Sequence, residues 1–455
     1  MESMTAKGPR AASYWKPYLL LVAAAFLLAG VLRALPGAAA AFQKVPEGLY
    51  LSLGVLFLTG YALNYFAPRT VIPSFVWAIL FGVALQPAFA LFTENGEALL
   101  IVVELLAAFV LFAGGVEVPF KNFTRYLAPI ANISLVGTLL TVLLFALALE
   151  LFVPFFGFSV PAITLLLTAA ILSSIDPTAL LPTFKSLSLK KPFLRDIALS
   201  ESAVNDVAGT IVTRFFLVGA LAAAGAGSVL VEFSPLLSRG VLESIALEIA
   251  WGVATGVFGA WLLGRWSDSL ARSKRHWSDP ALFFSVPVLM FALGSLVGGS
   301  GFLAAFVAGL LYDGRHATKE VRAFFETFVD SFIKPVIFVL LGAVVPLSAL
   351  AATAAIGAVA AVVFMFFVRP LVVFISLLPW MVRDEAVFTW RELMFLSFIR
   401  ETGAIPAILM LVALASGVAG SEFIFAVGMW VILYTLLIEP PLTPYVARRL
   451  ALVRA

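Results

Sequence analysis

"ILSSIDPTALL" (residues 171–181) and "ALSESAVNDVAGTIV" (residues 198–212) are two apolar stretches with acidic residues near their centres. The acids are Asp176, Glu201 and Asp206. A charged side chain at the bilayer centre costs at least about 2.5 kcal/mol on insertion scales, so acids at that depth face a protein interior and mark functional sites. If these stretches are membrane helices, they locate both the centre of the fold and the candidate site.

The composition of the 455 residues is that of a membrane protein. Hydrophobic residues make up 62% and charged residues 12% of the chain, and the mean hydropathy is +1.08. A soluble chain carries roughly a quarter of charged residues. The sequence contains no cysteine, which excludes disulfides, thiol nucleophiles and cysteine metal sites. Its two histidines, His276 and His316, stand in basic loops away from any pairing that would bind a metal.

Apolar runs long enough to cross a bilayer recur along the whole sequence. We expect about fourteen spans of roughly 20 residues each. The first run could instead be a cleaved signal peptide, because basic residues precede it. The spans lie at roughly 17–35, 48–67, 71–92, 97–115, 126–153, 159–183, 197–223, 240–264, 280–298, 300–313, 328–349, 351–379, 392–416 and 420–443.

The basic residues orient these spans. With a cytoplasmic N-terminus, the only lysines and arginines of the connecting loops that fall on the external side are Arg33, Lys44 and Arg239. An excess of Lys and Arg in cytoplasmic loops is the rule for membrane proteins. We therefore expect cytoplasmic tails at residues 1–16 and 444–455. Residues 17–443 would form one transmembrane domain in the cell membrane, with scaffold and core helices interleaved in sequence.

Asp176 stands directly before Pro177 and after Ser173 and Ser174. Proline removes a backbone donor and disfavours helix at the preceding residue. The sixth span is therefore expected to break near its centre, and broken helices at the midplane are where secondary transporters hold their ions. A kinked helix whose aspartate only caps the second half is the alternative.

Four polar residues of the seventh span fall on adjoining faces of one helix. Glu201 and Asn205 are four residues apart, and so are Ser202 and Asp206. Together they present oxygen atoms of the kind that a hard cation binds. A buried carboxylate that is either protonated or cation-bound is the simplest device for exchanging protons against cations. A polar network that only joins helices is the alternative.

The two stretches together resemble the Asp-Pro and Glu-Ser-x-x-Asn-Asp motifs of the cation:proton antiporter-1 family, which includes the prokaryotic sodium/proton exchangers. The resemblance implies that Asp206 binds the transported monovalent cation and the proton, with Asp176 beside it. Ser202 and Asn205 would add oxygen atoms to this site. Prokaryotic members often carry Thr before the Asp-Pro pair, so Ile175 would contribute its backbone carbonyl alone.

Two later stretches resemble arginine-containing segments of the same family. They are "FFVRPLVVF" (residues 366–374), which contains Arg369, and "SFIRETGAIPAIL" (residues 397–409), which contains Arg400. The family's helix-orienting glutamate falls on Glu201, within the ion-binding motif. The resemblance implies that Glu201 pairs with one of the two arginines, and that these charges neutralise helix ends.

Gly403 and Pro406 interrupt the thirteenth span as the Asp-Pro pair interrupts the sixth. The two spans run in opposite directions in the predicted topology, which is typical of an inverted repeat. Opposing helix ends at their crossing would be neutralised by nearby charged side chains. This symmetry agrees with the fold that the resemblance implies, an all-α polytopic membrane protein with the inverted-repeat Na⁺/H⁺ antiporter fold and two crossed broken helices. The first predicted span precedes the helices of the family.

The resemblance implies a secondary antiporter that exchanges Na⁺, or else K⁺ or Li⁺, for a proton. It also implies a homodimer, elevator-type alternating access and electroneutral exchange, because Asn205 stands where electrogenic members carry a second aspartate. A sodium-coupled symporter of an organic anion on the same fold is the alternative. We find no enzyme motif and no nucleotide- or nucleic-acid-binding motif in the sequence. We therefore expect no cofactor, and as partners only the cation, the proton, the lipid bilayer and a second copy.

Other charges fall within predicted spans. Asp330 and Lys334 are four residues apart and predict an interfacial ion pair. Arg214 is expected to have a structural or interfacial role. Glu104 and Glu248 have no obvious partner in the sequence and could either line a cavity or bond to a neighbouring helix.

Overall fold

In the computed structural model, every described element of regular secondary structure is a helix. Contacts divide the chain into two compact units, residues 1–94 with 338–344 and residues 95–337 with 345–455. The residues described are 15–34, 47–70, 72–93, 95–118, 120–175, 184, 187–222, 227–272, 280–312, 319–383, 388–399 and 402–454.

Two glycines of the smaller unit allow the backbones of neighbouring helices to come into contact. A Cβ atom on Gly82 would overlap the carbonyl oxygen of Val339, and one on Gly342 would overlap that of Ile79. Membrane helices use small residues in this way to bring their backbones together. The helices of this unit, besides the segment 338–344, are α1 (Trp15–Ala34), α2 (Glu47–Phe66), α3 (Ser74–Ala84) and α4 (Ala90–Thr93).

The larger unit contains the candidate site. Its first helices are α5 (Gly96–Glu117), α6 (Phe120–Arg125), α7 (Leu127–Ala131), α8 (Gly137–Phe152), α9 (Ala162–Leu172), α10 (Phe193–Leu221), α11 (Val229–Phe233) and α12 (Arg239–Arg272). They are followed by α13 (Pro280–Leu296), α14 (Gly301–Leu310), α15 (Lys319–Phe328), α16 (Lys334–Ala343), α17 (Leu347–Ala352), α18 (Ala354–Val363), α19 (Arg369–Arg383), α20 (Trp390–Ser397), α21 (Ala404–Ala415) and α22 (Ser421–Arg449). The second half of α16 belongs to the smaller unit.

Two groups of helices pack closely within the larger unit. In the first group, α14 packs against α5, α12 and α13. In the second group, α9 packs against α8 and α10, and α22 packs against α18 and α21. Helix α21 also contacts α5, so the groups meet there.

Six helical segments of the described chain are long and apolar enough to cross a membrane. Shorter apolar helices of 10–17 residues fall in most of the other predicted spans. The total number of membrane crossings stays a prediction. The six long segments are Gly96–Glu117, Leu127–Phe156, Phe193–Leu221, Arg239–Trp266, Ala354–Val382 and Ser421–Arg449.

Two of these long segments contain a π-helical turn. The turn Asn132–Val136 joins α7 to α8, and the turn Phe364–Val368 joins α18 to α19. A π turn inserts one extra residue into a helix and changes which face the following residues present, and such turns are frequent at functional sites. Both turns lead directly into helices that contact α10 or its charged residues.

The sixth predicted span stops being helical before its Asp-Pro pair. Helix α9 ends at Leu172, and the Ser173 hydroxyl donates a hydrogen bond of 2.7 Å to the carbonyl of Ala170 in the last turn. The chain is non-helical from there to Ile175. Asp176 lies outside the described residues, so the predicted break is described only up to the residue before it.

The interruption predicted in the thirteenth span is present. Helix α20 ends at Ser397, and α21 begins at Ala404 after Gly403. Pro406 stands in the first turn of α21, where its missing N–H group has no helical partner to lose. The two predicted broken spans also meet, since α9 packs against α21.

The last helix extends beyond the predicted membrane span. We expected a span that ends at residue 443 and a tail from 444 to 455, whereas α22 continues to Arg449 through three prolines. Prolines are tolerated in membrane helices because neighbouring groups satisfy the freed carbonyls. Beyond α22, Leu189 and Val453 form an isolated antiparallel bridge, so these last residues lie against the segment that precedes α10.

Candidate functional site

Helix α10 carries the four polar residues of the second motif, all of them buried. Glu201 is 2% exposed, Ser202 1%, Asn205 3% and Asp206 6%. They occupy two successive turns in the middle of a 29-residue helix that is apolar around them. Burying this many polar groups is unfavourable unless other polar groups meet them.

The guanidinium group of Arg369 forms a bidentate ion pair with the carboxylate of Glu201. Its Nη1 donates to Oε1 of Glu201 at 2.6 Å, and its Nη2 donates to Oε2 at 3.0 Å. Both side chains are 2% exposed. Bidentate pairs of this kind are the strongest charge-assisted hydrogen bonds in proteins. Of the two arginines predicted as partners, Arg400 lies outside the described residues.

Arg369 also reaches the second broken span. Its Nη2 donates to the carbonyl of Leu396 at 3.3 Å, in the last turn of α20. The C-terminal end of a helix carries partial negative charge on its free carbonyls, which a cation stabilises. Arg369 therefore joins α10 to the end of α20, which is the helix-end role predicted for the buried arginines.

The non-helical residues after α9 lie against α10. The Ser202 hydroxyl donates a hydrogen bond to the backbone carbonyl of Ile175, so two predicted ligands are in direct contact. A Cβ atom on Gly209 would overlap the Ser174 hydroxyl where it now stands, so the glycine leaves room for that hydroxyl. Asp176, the next residue in the chain, is outside the described residues.

Asn205 is oriented by α8. Its Nδ2 donates to the Thr138 hydroxyl at 2.7 Å, and that hydroxyl donates to the carbonyl of Ser134 in the first π turn. The Ser134 hydroxyl donates in turn to the backbone carbonyl of Glu201 at 3.1 Å. With its amide nitrogen used in this way, the Oδ1 of Asn205 is buried and accepts no hydrogen bond from the described part of the chain.

Asp206 lies one turn after Ser202 on the same helix and therefore on the same face. The site thus combines a carboxylate, a hydroxyl and an amide oxygen from two successive turns of α10 with the backbone carbonyl of Ile175, which Ser202 contacts. Oxygen donors of mixed charge are what hard cations bind. Glu201, by contrast, has both carboxylate oxygens engaged by Arg369.

One model of a known protein family matches the chain and shows the family to which it belongs. The family model described as "Sodium/hydrogen exchanger, transmembrane" matches residues 53–449, which is most of the chain. The chain belongs to the sodium/hydrogen exchanger family. The resemblance seen in the two motifs is therefore confirmed.

Three relatives are distant in sequence, and two of them are longer than this chain. The K⁺/H⁺ antiporter NhaP2 of Shewanella oneidensis is 26% identical over 358 residues, which cover 78% of this chain and 58% of that protein. The K⁺/H⁺ antiporter NhaP of Alkalimonas amylolytica is 26% identical over 396 residues, covering 86% and 64% respectively. The Na⁺/H⁺ antiporter NhaP of Pseudomonas aeruginosa is 29% identical over 240 residues, covering 51% and 53%. This exchanger chain thus spans a little over half the length of the Shewanella relative.

A solved exchanger structure has the same fold. The sodium proton antiporter MjNhaP1 from Methanocaldococcus jannaschii at pH 8 superposes with a TM-score of 0.69, covering 86% of this chain and 99% of that one. The sequence identity is 19%, so the likeness concerns the fold. The predicted fold class, the antiporter fold built from helices alone, is confirmed.

Several residues of this exchanger site were not predicted from the sequence. Ser134 and Thr138 are four residues apart in the fifth span, a spacing that could have indicated a polar face. At the second break, the backbone N–H of Thr402 donates to the Thr435 hydroxyl of α22 at 3.4 Å. The Oγ1 of Thr402 is buried and has no hydrogen-bond partner among the residues described.

Four other charged residues noted in the sequence form two ion pairs. Lys334 donates to Asp330 at 2.7 Å, as their spacing predicts, although Lys334 is almost fully buried. Glu248, for which the sequence offered no partner, receives a hydrogen bond from Arg214 at 3.2 Å. Glu401, like Arg400, lies outside the described residues, and its role stays open.

Proposed function

We propose that the chain exchanges a monovalent cation for a proton, with Asp206 as the carboxylate that binds one or the other. The proposal rests on the position of Asp206 one turn after Ser202, whose hydroxyl contacts the carbonyl of Ile175 at the first break. Both oxygens of Glu201 are held by Arg369 at 2.6 and 3.0 Å, which makes it a structural charge. Asp206, on the face of Ser202, is then the carboxylate of α10 assigned to the transported ions.

The cation would be bound by oxygen atoms from two segments. Asp206, Ser202 and Asn205 supply them from α10, and Asp176 with the carbonyl of Ile175 from the first broken helix. Neutralising Asp206 with either a proton or a cation removes the isolated charge that would oppose its passage through the membrane. One site that binds either ion, and not both, couples the two fluxes.

The proposal also includes the stoichiometry of exchange and the conformational change that carries the ions across the membrane. Asn205 cannot lose a proton, so one titrating acid on α10 supports one proton for one cation and electroneutral exchange. Elevator-type alternating access, in which the helices around α10 move against the others, would expose the site to each side in turn. A homodimer with both termini cytoplasmic completes the proposal.

The cation is proposed to be Na⁺, with K⁺ and Li⁺ as competitors, since the named relatives are antiporters of either Na⁺ or K⁺. The test is dissipation of a preset pH gradient in proteoliposomes when each chloride salt is added in turn. Exchange with at least one of the three cations supports the function, and the order of apparent affinities identifies the substrate. A purified, folded protein that dissipates the gradient with none of them would refute it.

A further inference from the structure

A cavity of about 410 Å³ lies between α5, α10, α13, α14 and α21, beyond Asp206 toward the C-terminal end of α10. Its wall is mainly apolar. The polar residues that line it are Glu104 of α5, Thr213 and Arg214 of α10, Ser295 of α13 and Ser416 after α21.

Thr213 connects this cavity with the helix face that carries Asp206. Seven residues separate the two, which is close to two full turns, so both side chains lie on one face of α10. Thr213 is 2% exposed, and its hydroxyl has no hydrogen-bond partner in the described parts of the chain. A buried polar atom without a partner is unfavourable, and in a cavity wall it indicates a polar ligand.

Arg214, the next residue, separates this cavity from a second one. The second cavity, of about 480 Å³, lies between α9, α10 and α12 and is lined by Arg214 and Glu248. There the guanidinium group donates to Glu248 at 3.2 Å. Arg214 also lines the first cavity, together with Glu104. Arg214 thus lines both cavities, with Glu104 in the first and with Glu232 and its bonded partner Glu248 in the second.

We propose that the first cavity is the route by which the cation reaches Asp206 from the C-terminal end of α10. Glu104 attracts the cation into the cavity, and the Thr213 oxygen coordinates it on the way. Glu248 holds the Arg214 charge away from Glu104 and so keeps the route open to cations. This inference rests on the proposed exchange function and adds the residues that control access to it.

The charges of the cavity determine the expected effects. A carboxylate in a cleft with apolar walls concentrates counter-ions, and a guanidinium group there repels them. Removing Glu104 should therefore weaken binding of the cation as it enters the cavity. It should not change the conformational change of the cation-loaded protein. Removing Glu248 should have the same effect indirectly, because Arg214 then loses its bonded carboxylate and its charge acts more strongly on the first cavity.

The experiment measures exchange kinetics in oriented proteoliposomes, with the cation supplied on the side of the α10 C-terminus. Glu104→Gln and Glu248→Gln should each raise the apparent KM for the cation by about tenfold, the lower end of the enrichment that charged clefts produce. Their maximal rates should stay near that of the wild type. In an Arg214→Gln background, Glu248→Gln should no longer change KM.

The matched control is Glu243→Gln. Glu243 lies on α12 like Glu248 and also pairs with an arginine, Arg239 at 2.7 Å, but on the exposed surface. It should leave KM unchanged. A Glu104→Gln protein with wild-type KM would overturn the inference. A rise in KM on Glu248→Gln that is equal with and without Arg214 would overturn the role of the arginine.

A labelling experiment tests the route without relying on transport. The chain has no cysteine of its own. The thiol of Thr213→Cys should therefore react with a small cationic methanethiosulfonate reagent added on the α10 C-terminal side, and Na⁺ or K⁺ should slow the reaction. Wild-type protein that fails to exchange would refute the proposed function. A Thr213→Cys thiol that the reagent does not reach, or that no cation protects, would refute the route.

Discussion

Arg369 and Glu201, 168 residues apart in the chain, form a bidentate ion pair with N–O distances of 2.6 and 3.0 Å. The same guanidinium group bonds the carbonyl of Leu396 at the end of α20. One buried arginine thus fixes the relative position of α10, which carries the candidate site, and of the first half of a broken span. The pair is buried beside the candidate site and holds these helices in position.

The first prediction concerns the stability that this pair provides. Glu201→Ala leaves the Arg369 charge buried without its partner, which costs about 3–5 kcal/mol. The thermal unfolding midpoint in detergent should therefore fall well below that of the wild type. It should fall further than for Asp206→Ala, the matched change one turn away. Equal midpoints for the two variants would contradict a structural role for the pair.

The second prediction concerns the crossing of α5 and α14. A Cβ atom on Gly115 would overlap the backbone carbonyl oxygen of Phe306, and one on Gly309 would overlap that of Phe112. Neither backbone can yield easily, so Gly115→Ala should destabilise the protein by about 1–3 kcal/mol, as overpacking of an interior does. Gly114 has no atom within 4 Å of its Cβ position, which makes Gly114→Ala the control. The thermal unfolding midpoint of Gly115→Ala should lie below that of the wild type, and the midpoint of Gly114→Ala should not.

The fold was predictable where the sequence contains a strong local signal. Gly403 and Pro406 predicted the interruption between α20 and α21, because both residues disfavour a continuous helix. The family motifs predicted a Glu201–arginine pair but left two candidates. Only the three-dimensional packing decides which arginine side chain can reach a carboxylate on another helix.

Other parts of the site could not be predicted, for identifiable physical reasons. A π turn adds one residue to a helix without altering an unbroken apolar run, so the turn at Asn132–Val136 leaves no periodicity signal. Its consequence, the bond from Asn205 to Thr138, was therefore missed. The pairing of Arg214 with Glu248 joins two helices whose adjacency no local pattern encodes.

The third prediction tests the role of Thr138 as the acceptor that orients Asn205. Thr138→Val keeps the shape of the side chain but removes the hydroxyl that accepts the amide hydrogen bond. We expect a loss of about 1 kcal/mol, or roughly fivefold in the apparent KM for the cation. Thr141→Val, at a buried threonine one turn further along α8, is the control and should leave KM unchanged. Equal effects of the two changes would assign Thr138 to general packing.

The fourth prediction concerns the carboxylate itself. Asp206→Asn has nearly the same shape but can neither release a proton nor neutralise a cation. It should abolish cation-dependent dissipation of the pH gradient while the protein keeps its unfolding midpoint and its elution volume. Glu243→Gln, which removes an acid on the exposed surface of α12, should keep its exchange activity. Exchange by the Asp206→Asn protein would refute the mechanism.

The last prediction concerns the charge that exchange moves. If Asp206 carries one proton in one direction and one monovalent cation in the other, a cycle transfers no net charge. The membrane potential acts only on transferred charge, at about 2.3 kcal/mol per elementary charge for 100 mV. The exchange rate should therefore be the same at potentials clamped with valinomycin and K⁺ at different values, measured with Na⁺ or Li⁺ as substrate. Asn205→Asp, which adds a second acid beside Asp206, is the informative companion, because two titrating groups could make exchange depend on potential. A wild-type rate that changes with the clamped potential would exclude one-for-one exchange, even if Asp206 is shown to be the binding carboxylate.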